Sequence, residues 1–164
     1  MKLAVIKIGG ASGVATQNIV ADVARCVAGG LQVVLVHGGS DLTNTLSQQL
    51  GHEARMITSP SGMTSRYTDA ETLRIFAMAV AGQINTELVA LLQQQGVNAL
   101  GLAGVDGRLL VARRKAVVRS QLPGGRVQIL RDDYTGQIEQ VNGALLKQLL
   151  SLGLTPVIAP LALS

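Results

Sequence analysis

Two stretches near the amino end, residues 2–8 and 31–37, are almost continuously apolar, rich in Val and Ile, and closed by glycine pairs. Strands buried on both faces of a parallel sheet read this way. Between them Val14 to Ala28 keeps helical spacing, with Ile19, Val23, Cys26 and Val27 on one stripe. Strand, helix, strand is the βαβ pattern. A second helix is predicted after Gly38-Gly39, with Ser40 or Asp41 as N-cap and Gly51 as its stop. The Gly/Pro/Ser-rich stretch 58–65 reads as a loop. Thr68, with Glu71 three residues on, has the form of a capping box opening a long helix that runs to Gln95, with Gly82 as a candidate break and Gly96 as its end.

Val97 to Leu102 is another apolar strand, after which the pattern changes. Asp106-Gly107 and Pro123-Gly124-Gly125 are hairpin turn signals beside the alternating segments RLLVARRKAVVRSQ and RVQILR. Asn142 then caps a helix striped by Leu145, Leu146, Leu149 and Leu150, and residues 155–160, TPVIAP, form a last buried strand. The expected fold is α/β: a three-layer αβα sandwich around a mainly parallel sheet, with a basic β-hairpin excursion.

Composition narrows this to one domain with an aliphatic core. Of 164 residues, 48% are hydrophobic, 15% charged and 2% aromatic, with 19 Gly. That length buries roughly two thirds of the unfolded chain's surface. The single cysteine, Cys26, excludes an internal disulfide framework and reads as a buried, inert thiol in a cytoplasmic protein. The first apolar run stops at Gly9-Gly10, too short for a signal peptide, and no run reaches the ~18 apolar residues of a membrane span, so no membrane is expected.

The net charge of +4 is concentrated. Residues 108–131 carry seven basic residues, Arg108, Arg113, Arg114, Lys115, Arg119, Arg126 and Arg131, and no acidic one; the chain before them is net −1 and the chain after them net −2. Such a segment is either a docking patch or a solvated hairpin whose cations protect its edges.

In open parallel sheets, ligands sit at the carboxyl ends of strands, where helix N-termini present unpaired amides to anions. Lys7-Ile8-Gly9-Gly10 and His37-Gly38-Gly39-Ser40 end two strands in that way. Paired glycines let the backbone approach a phosphate or carboxylate, and Lys7 adds a point charge; ordinary βα turns are the alternative. Neither G-x-x-x-x-G-K-[ST] nor G-x-G-x-x-G is present, which excludes a P-loop and disfavours a dinucleotide site. Arg66, just before a helix start, can grip a carboxylate with two donors. Asp69 reads as a first-turn helix acid, His37 as a strand-end histidine packed under its loop, and His52 as surface. No His, Cys or carboxylate cluster has metal-ligand spacing.

Taken together, K-x-G-G, H-G-G, S-R-Y-T-D before a long helix, and N-A-L-G-L-x-G-x-D-G followed by basic residues resemble the amino acid kinase superfamily, in its N-acetylglutamate kinase branch. G-R-L-L-V-A-R-R-K, D-Y-T-G-x-I-E-x-V-N and P-V-I-A-P-x-A-L-S are most similar to the carrier-protein-linked aminoadipate/glutamate kinases of lysine and arginine biosynthesis. The resemblance implies transfer of the γ-phosphoryl of ATP, with Mg2+, to a side-chain carboxylate. Lys7 would stabilise the moving phosphoryl group, assisted by the Gly9 and Gly10 amides. Gly38 and Gly39 would sit at the substrate, and Arg66 would hold its α-carboxylate. It also implies that the substrate's amino group is blocked, by acetyl or by a small acidic carrier protein that Arg113, Arg114 and Lys115 would help dock. Family members pair through the helix at 70–90, so a homodimer is expected; Ile75, Phe76, Ala79 and Val80 fit that surface or an internal core face.

Family members also continue into a second half that binds ATP and Mg2+. Residues 1–164 are accordingly expected to be a single amino-terminal, substrate-binding domain without the carboxy-terminal ATP-binding domain, with little kinase activity alone. Two other readings compete: a non-catalytic acylamino-acid or carrier-binding module, and a nucleic-acid binder, which the lack of any aromatic in 108–131 disfavours.

Overall fold

The computed structural model describes residues 2–10 and 15–164. Four parallel strands, β1 (Leu3–Ile8), β2 (Gln32–His37), β5 (Ala99–Ala103) and β10 (Thr155–Ala159), form the central sheet in the order β1-β2-β10-β5. One face packs on α1 (Thr16–Ala28) and α4 (Asn85–Gln94) through Val20, Val23, Val33, Leu35, Leu88 and Leu92. The opposite face packs on α5 (Gly143–Ser151), where Leu150 meets Val34, Leu109 and Ile158. The three layers are those expected from the sequence. The predicted start of α1 at Val14 lies outside the described residues.

β1 departs from expectation. It was expected buried on both faces, but it is the sheet edge, and Leu3 and Val5 are 55% and 68% exposed. Its apolar run reports one buried face, carried by Ile6 and Ile8.

The helix starts also differ from their predicted caps. At α2 (Ser40–Gln49) the cap position is Gly39, because the Ser40 hydroxyl and the Asp41 amide both donate to the Gly10 carbonyl, at 2.7 and 2.9 Å. At α3 (Ala70–Ala77) the cap is Asp69, whose Oδ1 accepts from the Thr72 amide at 2.8 Å. Thr68 is occupied elsewhere, its amide on Asp133 and its hydroxyl on the Arg66 carbonyl. Asn142 caps α5 as predicted, accepting from Leu145 N at 3.1 Å.

Gly82 breaks nothing. α3 runs through a π-helical segment, Met78–Ile84, directly into α4. The resulting helix, Ala70–Gln94, is by length and composition apolar enough to cross a membrane, although Gln83, Asn85, Thr86 and Glu87 interrupt its apolar run. Its Ile75, Ala79, Val80, Leu88 and Leu92 are buried inside this domain. Ile75, Ala79 and Val80 are thus internal rather than surface, and Phe76 is half-buried in a cleft.

The basic excursion is two nested ribbons rather than one hairpin. β7 (Val118–Gln121) and β8 (Val127–Leu130) pair across Pro123-Gly124-Gly125 as predicted. β6 (Leu110–Arg114), however, pairs with β9 (Gly136–Val141). Asp106-Gly107 is not a hairpin turn but a 3-10 turn that leads from the sheet into β6, with Asp106 accepting from the Ala103 amide. The stretch 58–65, read as loop, is the connection of a short hairpin, β3 (Met56–Thr58) and β4 (Thr64–Arg66), whose strands overlap its two ends. The hairpin's Ile57, followed by Tyr67, packs on Leu130 and Val118, so the excursion has a small core of its own.

Candidate functional site

The carboxyl ends of β1 and β2 lie side by side, and the two glycine pairs meet there. A Cβ on Gly10 would come within 2.7 Å of Ser40 N and 2.9 Å of Gly38 C, so only glycine allows the two turns to touch. Gly39 is closely packed as well, but against side-chain ends that can give, with Val80 Cγ1 2.6 Å and Ile84 Cδ1 2.8 Å from its would-be Cβ. Gly9 is different: no described atom lies within 4 Å of the same position. The amides of Gly9, Gly10 and Gly39 have no acceptor among the described residues. Together with Thr16 and Gln17 of α1 these glycines line a cleft of about 450 Å³. Unpaired amides converging at strand ends and a helix N-terminus suit an anion.

A second cleft, about 620 Å³, opens on the other side of the α2 N-terminus. Its walls are mainly apolar, including Leu73, Phe76, Leu110 and Ile138, and Arg66 enters it from β4. Arg66 Nη2 donates to the Ser40 carbonyl at 2.9 Å and to Asn44 Oδ1 at 2.6 Å, while Nε is buried without a partner. Burial lowers the Arg66 pKa from its usual value, which favours gaining an anionic partner. The guanidinium thus touches the residue that follows the second glycine pair.

The far wall is held by Asp133, which is 1% exposed. Its carboxylate accepts the Thr68 amide at 3.0 Å, the Thr135 amide at 2.7 Å and the Thr135 hydroxyl. Tyr134 N donates back to the Thr68 carbonyl at 2.7 Å. Arg114 lies over the Tyr134 ring, 3.8 Å from its centre, and donates from Nε to the Asp133 carbonyl. Asn44, Asp133 and Tyr134 were not singled out from the sequence; the D-Y-T-G segment was the one signal for Asp133 and Tyr134, and Asn44 had none.

Behind the second glycine pair, His37 is 2% exposed. Its Nδ1 is 3.0 Å from the Gly38 carbonyl and its Nε2 is 3.1 Å from Asn85 Nδ2, which also donates to the Val157 carbonyl at 2.9 Å. Burial pushes the His37 pKa down, and the Gly38 hydrogen bond offsets part of that. His52, read as surface, is partly exposed but partnered: its Nε2 is 3.0 Å from Thr72 Oγ1 and 3.3 Å from Asp69 Oδ1. Burial works to raise the Asp69 pKa, but the Thr72 hydrogen bonds and His52 outweigh it and hold the carboxyl below its usual value.

The predicted residues therefore divide. Gly9, Gly10, Gly38 and Gly39 come together in one cleft, and Arg66 lies in the neighbouring one, joined to them through the Ser40 carbonyl. Lys7 is exposed on β1 beside the first pair and lines neither cleft. Arg113 is paired with Glu139 at 2.8 Å and Arg114 is committed to the Tyr134 loop. Lys115, Arg119, Arg126 and Arg131 have no ion-pair partner among the described residues. No group of three or more His, Cys, Asp or Glu among the described residues could hold a metal ion.

The chain is 48% identical over 160 residues to a LysW-aminoadipate kinase of Thermus thermophilus, covering 98% of this chain and 59% of that protein. It is 40% identical over 157 residues to an acetylglutamate kinase of Methanopyrus kandleri, covering 96% and 56%. The chain thus spans less than two thirds of the length of these relatives. In fold it is similar to the crystal structure of smu.665 from Streptococcus mutans UA159, with a TM-score of 0.69 at 22% identity, covering 96% of this chain and 58% of that one. The model of the amino acid kinase family matches residues 2–164, and the chain belongs to that family.

Proposed function

We propose that this chain is the substrate-binding part of an ATP-dependent kinase that phosphorylates the side-chain carboxylate of an amino-blocked aminoadipate or glutamate, in lysine or arginine biosynthesis in the cytoplasm. The observation that carries the reading is Arg66: a guanidinium with a buried, unpartnered Nε, in an apolar cleft, hydrogen-bonded to the backbone of Ser40 beside the glycine pairs. A substrate whose α-carboxylate sits on that fork extends its methylene chain along the apolar wall and its second carboxylate toward the glycine amides.

In the reaction an oxygen of that second carboxylate forms a bond to the γ-phosphorus of ATP, the bond to the bridging oxygen breaks, and an acyl phosphate and ADP result. Catalysis of such a transfer is mostly positioning and charge stabilisation. The amides of Gly9, Gly10 and Gly39 are suited to the equatorial oxygens, and Lys7, one residue before the first turn's strand ends, is proposed to supply a cation there. The residues present fit the phosphoryl end of ATP. Among the described residues no group of three or more His, Cys, Asp or Glu could hold a metal ion unaided, and Mg2+ is proposed to be held with the rest of the nucleotide by the carboxy-terminal part of the longer family members. The amino-blocking group is proposed to be a small acidic carrier protein, the partner that relatives named for LysW suggest, or acetyl. A homodimer remains the expectation carried by the family resemblance.

Calorimetric titration tests the reading. The chain is expected to bind N-acetyl-aminoadipate or its carrier-linked form, and Arg66→Ala to abolish binding while leaving the fold intact. Absence of binding to acetylated or carrier-linked aminoadipate and glutamate alike would overturn it.

A further inference from the structure

Asn85 fixes the hydrogen positions on His37 by elimination. Its amide nitrogen has two hydrogens; one goes to the Val157 carbonyl and the other faces His37 Nε2. Nε2 must therefore accept, so the ring is neutral and its hydrogen is on Nδ1. Burial acts in the same direction by disfavouring the charged ring. Nδ1–H then donates to the Gly38 carbonyl at 3.0 Å.

That bond has a consequence for the glycine turn. The peptide unit is planar and trans, so its C=O and N–H point to opposite sides. A Gly38 carbonyl drawn down to buried His37 turns the Gly39 N–H away from the core. This amide has no acceptor among the described residues; Val80 and Ile84 seat Gly39, but no hydrogen bond of its own N–H fixes the direction of the peptide, which the His37 bond does through the Gly38 carbonyl. The π-helical segment Met78–Ile84 carries both of those side chains and ends at Asn85, so one irregular turn supplies the seat and the donor.

We propose that His37 and Asn85 are positioning residues: an Asn85-to-His37-to-Gly38 hydrogen-bond relay that holds the Gly38–Gly39 peptide with its N–H presented to an anion. The ring does no acid–base work. The proposal rests on the reading of the glycine turn as a phosphoryl site, and the test separates the two.

Imidazole nitrogen NMR on the chain at neutral pH reads the tautomer directly, and titration with inorganic phosphate reads the glycine amides. The expected result is Nδ1–H on His37 with the Gly39 amide shifting on addition of phosphate. His37→Leu, which removes the donor, is expected to weaken the phosphate response about five- to tenfold, and His37→Asn, whose amide N–H stands where Nδ1–H did, to restore most of it. Dispersed methyl spectra establish that both variants are folded. If His37→Leu does not fold, Asn85→Asp, which can only accept, is expected to move the ring hydrogen to Nε2 and weaken phosphate similarly. An Nε2–H ring in the unmodified chain, or phosphate binding equal in all folded variants, would overturn the relay while leaving the anion site standing. A ring with Nδ1–H but no glycine amide responding to phosphate would overturn the anion site, and with it the function given to the relay.

Discussion

Asp133 accepts the backbone amide of Thr68 at 3.0 Å, joining the segment that leaves Arg66 to the loop that ends the basic excursion, 65 positions apart in sequence. The same carboxylate takes two donors from Thr135, so one buried side chain holds opposite walls of the larger cleft. Asp133→Ala strands these donors, and with one or two left unsatisfied the expected loss is about 3 kcal/mol of unfolding free energy. Asp133→Asn retains one accepting oxygen and loses less. Urea unfolding of both variants measures this; an unchanged midpoint for Asp133→Ala would show that the walls are held otherwise.

The two glycines of the first turn predict opposite phenotypes. Gly10→Ala drives a Cβ against the backbone of Gly38 and Ser40, which cannot move as a side chain can, and should cost about 3 kcal/mol or more. Gly9→Ala meets no described atom, so stability should change by less than about 0.5 kcal/mol. Its methyl would occupy the approach to the unpaired amides, so phosphate binding is expected to weaken in a chain that is otherwise as stable as before. Thermal unfolding paired with the phosphate titration distinguishes packing from ligand access at neighbouring positions.

Stability should fall with acid in two steps. His37 has a folded pKa below its ordinary 6.5 because of burial, so the unfolded chain binds more protons. That contribution is complete above 6.5 and is lost as pH falls from there through the folded value. Asp69 is held below its ordinary 3.8 after Thr72 and His52 outweigh burial. Its contribution is present above 3.8 and is lost as pH falls through its folded value. Urea midpoints between pH 7.5 and pH 3 check both, and His37→Gln should flatten the first step alone. A midpoint that rises on going from pH 7 to pH 5.5 would contradict the neutral, buried ring.

What the sequence made legible was set by local chemistry. β2 and β10 could be read because each is a run of β-branched residues buried within the sheet, and α5 because Asn142 is a strong cap placed before a leucine stripe. The Gly38-Gly39 turn could be read because strand-end glycines before a helix have few other uses. β9 could not: GQIEQV is exposed along its whole length, so no buried face marks its period. Asp133 was hidden for a related reason, since its partners lie 65 residues away at Thr68 as well as two residues away at Thr135, and an acidic residue in D-D-Y reads as solvated until the fold surrounds it. Thr68 was read as the cap of α3 and is not, because its hydroxyl donates to the Arg66 carbonyl and the Asp69 carboxylate takes the Thr72 amide.

The excess charge gives the last prediction. The resemblance pointed to Arg113, Arg114 and Lys115 for docking an acidic carrier, but Arg113 already faces Glu139 and Arg114 holds the Tyr134 loop. The cations left to act at a distance are Arg108, Lys115, Arg119, Arg126 and Arg131. On the outer face of the β7–β8 ribbon, Arg119 stands opposite Ile129, which is 54% exposed, and Val127 beside it is 50% exposed. A patch of unpaired cations around exposed apolar residues suits a small acidic protein, because opposite charge speeds encounter and the apolar centre gains from burial. The double change Arg119→Glu and Arg126→Glu is expected to weaken carrier binding about tenfold at low salt, with the difference shrinking as salt is raised toward 0.5 M. Arg113→Glu should have a smaller effect on binding, since it exchanges an ion pair for a repulsion inside the β6–β9 ribbon, and should show chiefly as lost stability. Calorimetry across a salt series separates these outcomes, and a carrier affinity that ignores both the Arg119/Arg126 reversal and the salt would remove the hairpin from the docking surface.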